Sequence, residues 1–116
     1  MTGSTTLAAT RLLPQLRARW PHVFCSPPRP LAIGIWAELH NELYPREHGA
    51  LWEFSRHGRA LADALAAWCA QPEYFEACSM PGAPRYGLDG KICGEVSEAQ
   101  AAYARAALTQ LNGVRP

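Results

Sequence analysis

Apolar residues recur at helical spacing through most of the chain. Leu12, Leu13, Leu16 and Trp20 share one face, Arg11, Arg17 and Arg19 lie off it, and Pro14 suits a first-turn position. Pro21 stops this helix, and a Pro-rich turn, Ser26-Pro27-Pro28-Arg29-Pro30, leads to a second helix predicted over 34–43, with Ile35, Trp36, Leu39 and Leu43 inward. Tyr44-Pro45 breaks that pattern. A charged connection over 46–53 has room for one helical turn, from which Leu51, Trp52 and Phe54 can fold back on the core. Ser55 is an N-cap candidate for a third helix whose core face is Leu61, Ala64, Leu65 and Trp68, at i, i+3, i+4 and i+7. Pro72 opens a short helix over 72–78 carrying Tyr74 and Phe75. Ser97 and Gln100 form the N-cap and N3 pair of a capping box, which predicts a last helix over 98–111 with Ala101, Ala104, Leu108 and Leu111 on its apolar side, ended by Asn112-Gly113.

One stretch breaks the helical rhythm. Tyr86 and Leu88 alternate before Asp89-Gly90, and Ile92 and Val96 follow it, which predicts a β-hairpin with a type I′ turn. A lone hairpin is marginal in water, so the helices must supply its cover. Arg85, Tyr86 and Lys91 ride on this ribbon, and a charged, aromatic ribbon face is a natural place for function.

With 116 residues and 48% apolar content the chain is one globular domain, long enough to bury roughly two-thirds of its unfolded surface. Residues 1–10 are small and polar, a frayed, disordered or partly helical segment ahead of a domain expected over 11–113. No run approaches the roughly 18 apolar residues of a membrane span, and the first residues lack the basic and apolar regions of a secretory signal. Cys25, Cys69, Cys78 and Cys93 have neither C-x-x-C nor zinc-like spacing, so free thiols in a reducing cytoplasm are expected. His22 and Cys25 alone make neither a metal site nor a catalytic dyad, and no nucleophile–base constellation appears; the chain is not expected to be an enzyme or to need a cofactor or metal. The four Trp residues are expected in the core, since three lie on apolar helical faces.

Net charge is +1, from 11 basic and 10 acidic residues, which is low for a nucleic-acid binder. Ten of the basic residues are Arg, and four acids (Glu38, Glu42, Glu47, Glu53) cluster in one stretch, so the remainder is more basic than the total suggests.

Four ordered motifs add to this picture. Arg19-Trp20-Pro21-His22-Val23-Phe24 is followed by Pro30-Leu31-Ala32-Ile33-Gly34-Ile35, then by Arg85-Tyr86-Gly87-Leu88-Asp89-Gly90, then by Gly94-Glu95-Val96-Ser97. In this order and spacing the chain resembles the ProQ/FinO family of bacterial RNA chaperones over about residues 12–111. The resemblance implies a compact single-domain fold, mostly α with a small β-hairpin. It also implies RNA binding without chemistry, to a hairpin base plus a 3′ single-stranded end of small RNAs or transcripts, in post-transcriptional regulation.

By the same resemblance Tyr74 and Arg85 line a pocket for the RNA 3′ end, with one extra residue between them relative to the commonest spacing. An Arg fork suits phosphate and base stacking, and single-stranded RNA is commonly read by such contacts. The plain alternative is that Tyr74 packs under the hairpin and Arg85 pairs with a carboxylate. Arg105, on the last helix, is expected to face the same surface, with Tyr86 and Lys91 as further candidates. Arg56 and Arg59, with His57, stand at a helix start, where cations oppose the macrodipole unless an anion docks there or Glu53 or Asp63 answers them. One departure from the family bears on affinity: its row of cations on the central helix is Gly58, Ala62 and Ala66 here, and its frequent Lys is Ala32. Every phosphate left without a cation lowers affinity and the salt slope by about one ion's worth. The second reading is therefore a protein-interaction module on the same fold.

Overall fold

The computed structural model describes residues 7–47 and 49–114. Helix α1 (Leu7–Arg19) is followed by α2 (Ile35–Leu43), a single 3₁₀ turn (Trp52–Phe54), α3 (Arg56–Cys69), α4 (Pro72–Ala77), strands β1 (Pro84–Tyr86) and β2 (Ile92–Glu95), and α5 (Glu98–Val114). The mostly helical architecture with one antiparallel hairpin is the one expected. Helix α3 is central: α1, α2, the 3₁₀ turn and α4 all pack on it, and α4 also packs on α5. Leu16, Val23, Leu39, Leu61, Ala64 and Ala101 are fully buried around it. Phe24 meets Trp68 edge to face at 5.4 Å.

Several boundaries differ from the sequence expectation, for local reasons. Helix α1 begins at Leu7, so Pro14 sits inside it rather than in its first turn. The missing Pro14 N–H removes one ladder bond, but buried Leu12 and Leu16 join the α1 face packed on α3 and outweigh it. Of the expected N-terminal segment, residues 7–10 are thus helical and 1–6 lie outside the described residues. Leu51 and Phe54 are each 70% exposed instead of folding back. A single 3₁₀ turn eclipses residues three apart, and here it directs Trp52 inward, 4.9 Å from the Trp36 ring and 4.4 Å from His40. Helix α5 continues past Asn112-Gly113 to Val114.

The hairpin turn is not type I′. The Gly90 N–H donates to the Gly87 carbonyl at 2.9 Å. Gly90 has φ +81°, while no non-glycine residue among those described has positive φ, Asp89 included. A type I turn closed by a left-handed glycine gives this pattern. The Asp89 carboxylate accepts from the Lys91 N–H at 2.9 Å, an interaction that competes with the primed turn. Tyr86 pairs with Ile92 and Pro84 with Glu95, with a bulge between. Strand β2 is exposed throughout, so part of the cover comes from an unexpected source. The Tyr86 N–H donates to the Pro30 carbonyl and the Ala32 N–H to the Tyr86 carbonyl, both at 2.9 Å. The Pro30-to-Ile35 motif thereby adds a parallel bridge to β1.

Candidate nucleic-acid interface

The C-terminal end of α3, α4, β1 and α5 enclose a cleft of about 490 Å³. Tyr74 reaches it because Pro72 starts α4 at once after the extended Gln71, turning the short helix across the end of α3. The Tyr74 hydroxyl accepts from the Leu31 N–H at 3.0 Å. Arg85, on β1, donates from Nη1 to the Leu31 carbonyl at 2.7 Å and from Nη2 to Oε1 of Gln100 at 2.9 Å. Both peptide groups of Leu31 are thus held by the two candidate residues. The capping box forms as expected, with Ser97 Oγ accepting from the Gln100 N–H at 3.1 Å and Gln100 Oε1 accepting from the Ser97 N–H at 2.9 Å. One amide oxygen therefore starts α5 and orients Arg85.

Arg85 is only 7% exposed and its Nε has no hydrogen-bond partner. It does not pair with a carboxylate. Among the described residues the ion pairs are His40–Glu47 and His57–Glu47, and no arginine or lysine lies within ion-pairing distance of an acid. The cleft floor therefore carries a positive charge that neutral oxygens position without cancelling. Burial raises the Tyr74 phenol well above its ordinary value and pushes the Cys69 thiol up to about 11, so both stay neutral at physiological pH.

The remaining candidates disperse around this centre. Arg105 lies at its margin: the neighbouring Ala104 lines the cleft, and Arg105 Nη1 donates to the Ser79 carbonyl at 2.9 Å, beside lining residue Cys78. Tyr86 is stacked under the guanidinium of Arg29 at 4.7 Å. Lys91 lines a separate hollow shared with Glu38, Glu42 and Asp89. Arg56 lines a notch with Arg11 and Tyr44 at the N-terminal end of α3, about 20 Å along the helix from Cys69 at 1.5 Å per residue. Arg59 is exposed one turn further on.

At that helix start Ser55 caps as expected, its Oγ accepting from the Gly58 N–H at 3.0 Å. The carboxylate facing His57 is Glu47, at 3.3 Å, rather than Glu53 or Asp63. Glu47 also accepts from His40 at 2.5 Å and from Ser55 at 2.8 Å. These bonds, that from His40 first, hold its carboxyl at about 2, well below the usual range. The positive end of α3 thus already has an anion.

Sequence reasoning missed Tyr103, Gln100 as a site residue, Arg29 and the Glu47 cluster. Tyr103 lies one helical turn after the capping-box Gln100 and could have been placed beside it from that spacing. Nothing in the sequence signalled that Glu47 and His40 meet.

Two solved structures share this fold. A FinO-like RNA chaperone from Neisseria meningitidis, known from a crystal structure, is 22% identical with a TM-score of 0.67, covering 94% of this chain and 82% of that one. A ProQ homologue from Legionella pneumophila, solved by NMR, is 23% identical with a TM-score of 0.68, covering 100% of this chain and 92% of that one. The sequence profile of the ProQ/FINO family matches residues 7–115, a span that takes in every described residue, and the chain belongs to that family.

Proposed function

We propose that this protein binds RNA without catalysing a reaction. It takes structured small RNAs or transcripts by a hairpin base and a 3′ single-stranded end, with a chaperone or stabilising effect in post-transcriptional regulation. The observation that carries the reading is the Arg85 guanidinium, fixed by Leu31 and Gln100 in an aromatic-lined cleft with no carboxylate paired to it. Family membership and the likeness to a FinO-like RNA chaperone support it. Tyr74 and Arg85 hold the 3′ end, Arg105 meets phosphate at the margin, and Arg56, Arg59, Tyr86 and Lys91 are candidate contacts away from the cleft. The free thiols suit a reducing compartment such as the cytoplasm, and no described helix is long and apolar enough to cross a membrane.

The test is filter binding of a hairpin RNA with and without a 3′ tail, at several salt concentrations. Tail-dependent binding that falls steeply with salt is expected; equal binding of both RNAs would remove the 3′-end assignment. A second reading, a protein-interaction module, is favoured by three positions of α3 that hold no cation, since Gly58 is buried and Ala62 and Ala66 carry no charge. Indifference to RNA at low salt would select it.

A further inference from the structure

Tyr103 is 71% exposed on α5, yet it is not an isolated surface ring. It lines the same cleft as Arg85 and Tyr74, and its ring meets that of Phe75 at 6.4 Å and 65°, edge to face. An edge-to-face pair fixes ring orientation while leaving aromatic face uncovered. Ala66, Ala70 and Ala99 also line the cleft, and their short side chains occupy little of it. Arg85 in the cleft and Arg105 at its margin supply positive charge, and neither is in an ion pair.

We infer that Tyr103, braced by Phe75, is a stacking platform for a nucleobase of single-stranded RNA entering the cleft. This inference rests on the RNA reading of the cleft and adds a binding residue to it. Every base has a π face, so the platform accepts any of the four, and recognition here is of an unpaired base rather than of a sequence. The phosphate beside the stacked base is drawn to the arginines. An unstacked single-stranded end can present such a face, whereas a blunt duplex end keeps its bases stacked and paired.

The experiment compares Tyr103→Ala and Tyr103→Phe with the parent protein, using a hairpin RNA with a short 3′ tail and the same hairpin without one. The tail carries 2-aminopurine as a fluorescent base. Tyr103→Ala is expected to weaken binding of the tailed RNA by about 5- to 100-fold. It should leave the blunt RNA unchanged and abolish the quenching of 2-aminopurine that the parent protein produces. Tyr103→Phe, which keeps the ring, is expected to retain both affinity and quenching. Tailed binding and quenching by Tyr103→Ala equal to the parent would overturn the inference while leaving the RNA reading intact. So would equal losses in the Ala and Phe variants, since the hydroxyl rather than the ring would then matter. If the parent protein itself does not distinguish the two RNAs, the underlying reading falls and the platform falls with it. Circular dichroism of both variants separates these outcomes from loss of fold.

Discussion

Gln100 presents a single amide oxygen to Arg85 Nη2 at 2.9 Å, across the gap between β1 and the first turn of α5. That oxygen is neutral, and this decides what the cleft can attract. Gln100→Glu keeps the acceptor and the helix cap but places a carboxylate on the guanidinium. We expect thermal stability to be retained and affinity for tailed RNA to fall by about tenfold, close to the worth of one hydrogen bond to a charged group. Unchanged affinity in filter binding would show that the Arg85 charge does not take part.

Tyr74 and Arg85 also hold the fold together, so their variants must be read for folding first. Tyr74→Phe keeps the ring but leaves the buried Leu31 N–H without its acceptor. The expected loss is about 1–3 kcal/mol, seen as a lower denaturant midpoint with the slope unchanged. A midpoint equal to the parent's would mean that the bond is replaced by water.

The positions of α3 that hold no cation differ in what they tolerate. A Cβ on Gly58 would come 2.2 Å from the Trp52 carbonyl oxygen, so nothing larger fits without moving backbone. Gly58→Ala is expected to destabilise by about 1–3 kcal/mol in chemical unfolding. Ala66, by contrast, is exposed on the cleft wall. Ala66→Lys is expected to tighten RNA binding and to steepen the dependence of log affinity on log salt by about one ion. An unchanged salt slope would place the RNA elsewhere.

Acid should reveal the Glu47 cluster. Its carboxyl is lowered from 4.5 to about 2 in the folded state, chiefly by the bond from His40. The folded protein therefore binds this proton less readily than the unfolded chain. The resulting stability is present above pH 4.5 and is lost as pH falls from there through 2. Stability of the parent is expected to drop faster over that interval than stability of Glu47→Gln, measured by urea unfolding at stepped pH. Parallel curves would show that the cluster carries no pH dependence.

Local rules made much of this protein legible. The periodicity of Leu61, Ala64 and Trp68 marked the buried face of α3, and the Ser55 and Ser97–Gln100 caps marked two helix starts where they occur. Such features depend on residues within one or two helical turns, and the chain states them directly. Asp89-Gly90 located the hairpin but not its turn type, because the Asp89 side chain bonds the Lys91 N–H and local hydrogen bonding selected another geometry. Four motifs in order located the fold.

Other features needed distant segments to meet. Pro14 reads as a first-turn residue until the packing of α1 on α3 carries the helix through it. Leu31 lies 43 residues from Tyr74 and 54 from Arg85, so no local pattern could announce that its two peptide groups are their partners. The same holds for Phe75 with Tyr103. The sequence by itself determined which segments are helical, where the ribbon lies and which residue types are available to meet an anion. Only the tertiary structure decided that Arg85 is buried yet unpaired by any acid, while Lys91 and Arg56 stand in separate hollows. The reason is physical: periodicity and capping act over neighbouring residues, whereas burial and the neutral or charged character of a partner are set by chain segments that meet only when the core closes.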